Sequence, residues 1–320
     1  RMYFIIMLDA FLRVFSLIRN RRGEVRLTKQ NGNDSKSPMH KMMQLYGIRA
    51  KKSLGQNFLM DASYIHQITE AIGADEKDIV VEIGPGLGAL TNELQKEAGA
   101  VLALELDQKL FEILQVEYKM QENVQVFLQD ALTCDIALLV KEQQKKGDFR
   151  AGFLACGNLP YYITTPIMMR FLESDWNWRK LVFMVQKEVA ERMVAPPGGK
   201  DYGALSLAVQ YHAQTELVTI VPPEVFYPQP KVYSAVIALH RLEKPPVAVI
   251  DEKKFFSLIK IAFAQRRKTL LNCLGSQTSM SKEAWLPLLE KAQINPQRRG
   301  ETLSMQEFAT LADLWTQSVG

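Results

Sequence analysis

The sequence predicts a doubly wound α/β fold with a parallel sheet, followed by a small all-α C-terminal domain. Three observations carry that expectation. From residue 79 to residue 185, short apolar runs of strand length alternate with amphipathic helical stretches, the pattern of parallel βαβ units. The first apolar run ends in Gly84-Pro85-Gly86-Leu87-Gly88, a glycine-rich turn that opens a helix. From Asp251 onward every signal is helical, with Phe255, Leu258, Ile259, Ala262 and Phe263 forming one continuous stripe.

A chain of 320 residues suits roughly two domains and a large core. The expected parts are an extension over 1–38, the α/β domain over 39–244 and the helical domain over 245–320. The 39 basic residues barely outnumber the 35 acidic ones, so only local clustering can argue for a nucleic-acid partner. Cys134, Cys156 and Cys273 lie far apart without metal-ligand spacing and read as small core residues of a reducing compartment. His40, His66, His212 and His240 are equally scattered, and no metal site is expected.

The segment from Met2 to about Ile18 is apolar and Arg19 to Lys29 is basic. Asp9 and Arg13 interrupt the apolar run, which is short for a membrane span and lacks a clear signal-peptide cleavage site. An amphipathic surface helix would fit; Met39, Met42 and Met43, just before the first motif, favour an upstream extension of the reading frame. Residues 38–60 contain no acid but include Lys41, Arg49, Lys51 and Lys52, either a solvated basic arm or one that contacts phosphates. Asp61 can cap a helix carrying Ile65, Ile68 and Ile72 that stops at Gly73.

Strands are expected over Ile79 to Ile83, Val101 to Leu106, Val124 to Leu128, Gly152 to Cys156 and Leu181 to Val185. Asp107 can cap the helix of Leu110, Ile113 and Leu114, and another helix is expected to start at Thr164-Thr165-Pro166. Beyond Tyr202-Gly203, the runs Leu205 to Tyr211 and Glu216 to Ile220 read as extended. A proline-rich bend follows, and Val232 to Leu242 is compatible with an edge hairpin that completes the sheet. Ser304 with Glu307 reads as a capping box before Phe308, Leu311 and Trp315.

In such a sheet, ligands bind outside the carboxyl ends of the strands. Four polar features fall there: the glycine turn, Glu105, Asp130 and Asn158. Glu105 lies where an acid can accept hydrogen bonds from both hydroxyls of a ribose, and Asp130 could accept from an adenine amine. Either acid alone is more often a helix cap or a solvated loop residue; together, beside the turn, they point to a nucleoside-bearing cofactor. The turn is not the dinucleotide spacing G-x-G-x-x-G. Glu82, in the strand before it, would be costly to bury unpaired, and a cationic ligand or a backbone amine partner would offset that. This favours S-adenosyl-L-methionine over a dinucleotide. Asn158-Leu159-Pro160-Tyr161-Tyr162 adds an amide, a stiff backbone and a flat ring, a combination able to grip a planar group with an exocyclic amine. A plain strand-to-helix loop with a buried tyrosine is the alternative.

Several motifs occur in order: Ser53-Leu54-Gly55-Gln56-Asn57-Phe58-Leu59, Val81-Glu82-Ile83-Gly84-Pro85-Gly86-Leu87-Gly88, Glu105-Leu106-Asp107, Gln129-Asp130-Ala131, Asn158-Leu159-Pro160-Tyr161, Gln186-Lys187-Glu188-Val189, Tyr202-Gly203-Ala204-Leu205-Ser206, Pro228-Gln229-Pro230-Lys231-Val232 and Gln265-Arg266-Arg267-Lys268-Thr269-Leu270. From about Ile48 to the C-terminus this ordered set resembles the KsgA/RsmA ribosomal RNA adenine N6-dimethyltransferases. Tyr233 stands where many members carry Asp, and Tyr162 where some carry Asn.

The resemblance implies a Rossmann-like methyltransferase sheet in which Asn57 and Leu59 cover S-adenosyl-L-methionine, with no metal. Gly84 would lie under its methionine part, Glu105 on the ribose, Asp130 on the adenine amine and Asn158 near the reacting groups. It also implies a cytoplasmic, monomeric enzyme that dimethylates two adjacent adenines in the 3′-terminal hairpin loop of 16S rRNA within the 30S subunit. In the expected mechanism, Asn158 Oδ1 and the Leu159 or Pro160 carbonyl accept the N–H bonds of the target amine. Tyr161 stacks on the base, which must leave its own stack to arrive. Phe226 is the candidate for the opposite face, or else a core aromatic beside a bend. Lys51, Lys52, Arg266, Arg267 and Lys268 are candidate RNA contacts, or else solvated charge. The runner-up is an Erm-type methyltransferase acting on 23S RNA, although that group more often carries Ile where Leu159 stands and lacks this Gln-Arg-Arg-Lys-Thr sequence. A non-catalytic assembly or transcription factor of the same fold, and more distantly a nicotinamide-dependent oxidoreductase, complete the alternatives.

Overall fold

The structure, a computed structural model, describes residues 38–51, 55–265 and 267–319. The apolar and basic stretches ahead of residue 38, and so nearly all of the expected extension, lie outside the described residues, as do Lys52 and Arg266.

A short helix, α1 (Pro38–Leu45), buries Met39 and Met43 with Phe58, Leu87 and Leu110. The chain then forms a two-residue strand, β1 (Phe58–Leu59), and α2 (Ala62–Ile72). Asp61 caps α2 by accepting from Ser63 N, and Gly73 ends it in the left-handed region, as the sequence predicts. Strand and helix next alternate through β2 (Ile79–Ile83), α3 (Ala89–Glu97), β3 (Ala100–Glu105), α4 (Gln108–Glu117) and β4 (Val124–Leu128). The alternation continues with α5 (Ile136–Gln144), β5 (Phe153–Gly157), α6 (Tyr161–Leu172) and β6 (Trp178–Gln186). Then come α7 (Lys187–Val194), α8 (Ala204–His212), β7 (Ala213–Val221), β8 (Phe226–Tyr227) and β9 (Ser234–Arg241). Four helices close the chain: α9 (Glu252–Phe263), α10 (Leu270–Gln277), α11 (Lys282–Lys291) and α12 (Met305–Val319).

Seven strands form one sheet in the order β4-β3-β2-β5-β6-β9-β7. The first five are parallel, and β9 and β7 join as an antiparallel edge pair. Strand order reverses between β2 and β5, which opens a crevice at their carboxyl ends. The fold class expected from the sequence is the one observed, including the edge hairpin. The central strands are buried along their whole length, which is why they read as unbroken apolar runs.

Two elements differ from expectation. Residues 205–211 belong to the helix α8 and are not extended. Val209 of α8 packs into the sheet core, while Leu207 and Tyr211 pack into a separate cluster with Phe255, Trp285 and Phe308. A helix buried on both sides has no polar face, so its short apolar run loses the helical period and imitates a strand. Ser206 Oγ accepts from Gly203 N at 3.0 Å and fixes the start of the helix. The second difference is α6, which begins at Tyr161 and carries Pro166 inside it. Pro160 sits at the N-cap, and its carbonyl accepts from Ile163 N at 3.0 Å and Thr164 N at 3.3 Å. The tyrosines therefore belong to the first helical turn.

The cluster formed by the four C-terminal helices draws in Ala195, Tyr202, Leu207 and Tyr211 from ahead of the expected boundary at 244/245. As the sequence predicts, Ser304 and Glu307 form a reciprocal cap, with bonds of 2.8 Å and 3.2 Å, at the start of α12.

Candidate active site

The crevice at the carboxyl ends of β2, β3 and β5 is a cleft of ≈ 1180 Å³, including its open mouth. Asn57, Leu59, Gly84, Glu105, Asp130, Asn158, Leu159 and Pro160 all line it. Residues from five separate stretches of the sequence thus meet around one cleft.

The floor is bare backbone. Gly84 and Gly86 have φ of 65° and 63°, a region that side chains rarely tolerate. A Cβ on Gly84 would stand 2.7 Å from Leu159 Cδ2. Above this floor Glu105, 5% exposed, ends β3. Its Oε2 accepts from Gly86 N at 3.1 Å, and its Oε1 accepts from Leu106 N and Asp107 N at 2.8 Å each. Burial pushes its pKa above the ordinary glutamate value, although these amides pull the other way. Asp130 follows β4, accepts from Leu132 N at 2.8 Å and lines the cleft.

Glu82 is fully buried on β2 and lines the same cleft. Burial pushes its pKa up to about 7, with the charge of Glu105 acting in the same direction. The Thr91 hydroxyl donates to Glu82 Oε2 at 2.5 Å. Sequence reasoning missed Thr91; its only signal was a polar residue on the buried side of α3, beside Leu90 and Leu94.

The opposite wall depends on long-range contacts. Asn158 Nδ2 donates to the backbone carbonyl of Asn57 at 3.3 Å, and Asn57 Nδ2 donates to Gly55 O at 3.2 Å. This bond sets the rotation of the Asn158 amide: the NH₂ faces the arm, and Oδ1 stays available as an acceptor. The half-buried Tyr161 is not part of the cleft wall; its hydroxyl lies 2.6 Å from Ser234 Oγ, which fixes the ring beside the cleft. Tyr162, 62% exposed, does line the cleft. A Cβ on Gly55 would lie 3.3 Å from Pro160 Cβ and 3.5 Å from the Tyr162 ring, so the arm turns directly over this loop.

The structure does not bring Phe226 to the cleft. It is 5% exposed, pairs with Leu59 through the backbone and packs in a core cluster with Ile68, Val182 and Val236. Successive residues of a strand point to opposite faces, and its neighbour Tyr227 is the exposed one. The core reading of Phe226 is the one its position supports.

Of the candidate RNA contacts, Lys52 and Arg266 lie outside the described residues, while Arg267 and Lys268 are exposed between α9 and α10 and away from the cleft wall. Lys51 is engaged elsewhere: its Nζ stands 2.7 Å from Asp107 Oδ2. Burial pushes Asp107 up, but the bonds from Lys51 and from Lys109 N outweigh it and hold the carboxyl below its ordinary range. Among the described residues, no three or more His, Cys, Asp or Glu side chains group closely enough to hold a metal ion. No helix among them is long and apolar enough to cross a membrane.

A family model described as ribosomal RNA adenine dimethylase matches residues 47–313. The ribosomal RNA small subunit methyltransferase A of Shouchella clausii (strain KSM-K16) is 46% identical over 274 residues, covering 85% of this chain and 92% of that protein. A crystal structure of a dimethyladenosine transferase from Plasmodium falciparum superposes with a TM-score of 0.65 at 25% identity, covering 79% of this chain and 95% of that one. The crystal structure of the 23S rRNA methyltransferase ErmE superposes with a TM-score of 0.61 at 24% identity, covering 81% of this chain and 100% of that one. At that identity the last likeness shows a common fold alone.

Proposed function

This chain belongs to the ribosomal RNA adenine dimethylase family, and from that premise we propose that it dimethylates N6 of two adjacent adenines in the 3′-terminal hairpin loop of 16S rRNA. The methyl donor is S-adenosyl-L-methionine, and the substrate is the 30S subunit during ribosome biogenesis. The observation that carries this reading is the orientation of the Asn158 amide by the Asn57 carbonyl.

The residues present fit the donor. Two glycines with positive φ leave a floor that a Cβ would fill, Glu105 is held rigidly as a hydrogen-bond acceptor for ribose hydroxyls, and Asp130 lies along the same wall. Glu82 adds an acid near neutrality that a cationic ligand would draw into its charged form. When bound, the donor supplies an electrophilic sulfonium methyl.

The protein's own work is on the amine. An adenine N6 is a weak nucleophile because its lone pair is delocalised into the ring. Asn158 Oδ1 accepts one N–H and the Leu159 carbonyl accepts the other, since the Pro160 carbonyl is taken up by Ile163 N, Thr164 N and the Thr164 hydroxyl at the start of α6. Together they draw the nitrogen toward tetrahedral geometry and direct its lone pair at the methyl. Fixed acceptors of this kind act because they need no rearrangement as charge develops. Tyr161, tied to Ser234, provides the face on which the extruded base stacks at the margin of the cleft. After transfer the amine releases its proton to solvent. Exposed Arg267 and Lys268 meet the RNA backbone from the C-terminal helical part, residues 245–320. The enzyme works as a monomer in the cytoplasm.

The test offers the purified protein a tritiated methyl donor with unmodified 30S particles and, separately, 23S RNA fragments. Label is expected on 30S alone, and mass spectrometry should find N6,N6-dimethyladenosine at two neighbouring positions. Transfer to 23S fragments alone would replace this reading with the Erm-type one. Donor binding without transfer to either RNA would favour a non-catalytic factor.

A further inference from the structure

We propose that Lys51 is a positioning residue of the cofactor site and not an RNA contact: by pairing with Asp107 it holds the Glu105–Asp107 turn where the cofactor's ribose meets it. The inference rests on the reading of the cleft as a site for S-adenosyl-L-methionine.

The geometry is asymmetric. Lys51 has a half-exposed side chain, whereas that of Asp107 is only 3% exposed, and the two meet at 2.7 Å. The lysine reaches inward to the acid. The other oxygen of Asp107 caps α4 by accepting from Lys109 N at 3.0 Å. The backbone of Asp107 is equally committed, since its N–H donates to Glu105 Oε1. One turn therefore carries two nearly buried carboxylates, and Lys51 balances the charge of the second. Lys109, the other lysine at this corner, turns its ammonium to Gly47 O at 3.1 Å. Lys51 is itself fixed at the backbone, where its N–H donates to Gln56 Oε1 at 3.0 Å. Gln56 and Asp107 both line the cleft.

A lysine serving an RNA phosphate would have to leave a nearly buried carboxylate without its partner, an expensive exchange. Such an uncompensated charge, two residues from Glu105, would repel it and loosen the turn that presents it. The basic run in the arm is therefore divided in function, with Lys51 facing inward.

The experiment measures binding of S-adenosyl-L-methionine and S-adenosylhomocysteine by calorimetry for the full chain, Lys51→Met, Lys51→Arg, Asp107→Asn and the Lys51→Met/Asp107→Asn double variant. Lys51→Met should raise Kd about 2- to 5-fold, the range of a partly exposed ion pair, and Lys51→Arg should recover most of the loss. Asp107→Asn keeps an oxygen for the Lys109 N–H, so α4 stays capped, and Lys51→Met should then add almost nothing. In turnover, Lys51→Met should raise KM for the donor and leave kcat within about twofold, a split that general unfolding would not produce. RNA affinity should keep its salt slope in Lys51→Met, while neutralising Arg267 and Lys268 should flatten it. An unchanged Kd in Lys51→Met, or a flattened salt slope in that variant, overturns the proposal. A wild-type chain that bound neither form of the cofactor would bring down the cofactor reading itself, and this inference with it.

Discussion

The two walls of the cleft are built on different principles. On the cofactor side, Glu105 and Asp130 are held by backbone amides one to two residues away, plus Gly86 N across the crevice. On the base side, Asn158 is oriented by a carbonyl 101 residues earlier, and Tyr161, beside the cleft and not in its wall, by a hydroxyl 73 residues later. One wall is local and self-sufficient, and the other is assembled by tertiary packing. The difference teaches where each function is vulnerable. On the proposed function, binding would depend on strand ends that the sheet fixes, and chemistry on an arm and a distant strand arriving together. Gly84 is the seam, with Leu159 Cδ2 of the base side 2.7 Å from where its Cβ would be.

The largest expected break lies on the base side. Asn158→Ala should lower methyl transfer on the order of 10²–10³, the usual loss for one fixed transition-state partner. Calorimetry should find cofactor Kd within a few-fold of the parent; if both fell together, the walls would not be separable. Glu105→Gln should give the converse result: a Kd about 10–100-fold weaker, the scale of a hydrogen bond to a charged group, with kcat at saturating donor much less affected.

A third prediction concerns pH and the buried acid on the cofactor side. The Glu82 carboxyl is pushed up from 4.5 to about 7, chiefly by burial. Between those values the unfolded chain has released this proton and the folded chain still holds it. The folded state then binds more protons, so its stability falls as pH rises from about 4.5 to 7 and levels off above. Glu82→Gln should remove that slope. Urea midpoints at several pH values, for the chain without cofactor, would show the variant gaining on the parent from pH 5 to 7; parallel curves would refute the burial argument. The smallest effect is expected from Tyr161→Phe. It keeps the ring but loses the bond to Ser234, worth about 0.5–1.5 kcal/mol, and should raise KM for RNA a few-fold with donor affinity unchanged.

The contrast between the walls also explains what could be read in advance. Gly84, Glu105 and Asp130 announced themselves because their positions follow from strand ends, and strand ends follow from apolar runs. The acceptor role proposed for Asn158 comes from the chemistry of its amide, but its orientation by Asn57 was not legible, because nothing in either motif specifies the other as a neighbour. Thr91 beneath Glu82, and Asp107 as the partner of Lys51, were hidden for the same reason. Phe226 was given to the base since an aromatic beside a bend reads alike whether it faces in or out; only its pairing with Leu59 decides the face. Residues 205–211 misled in the opposite way. The sheet core and the helical cluster both claim α8, and that double burial erases the polar stripe by which a helix is recognised.

The three amides on Glu105 have a consequence for timing. Dimethylation of one base uses two donors, so a spent cofactor must leave and a fresh one enter between transfers. A carboxylate already held by Gly86, Leu106 and Asp107 keeps its place while the cleft is empty. The order of this wall is built once, when the chain folds, and does not have to be rebuilt at each exchange. On the proposed function, the exchange of donor between the first methyl and the second would require no rebuilding of this wall.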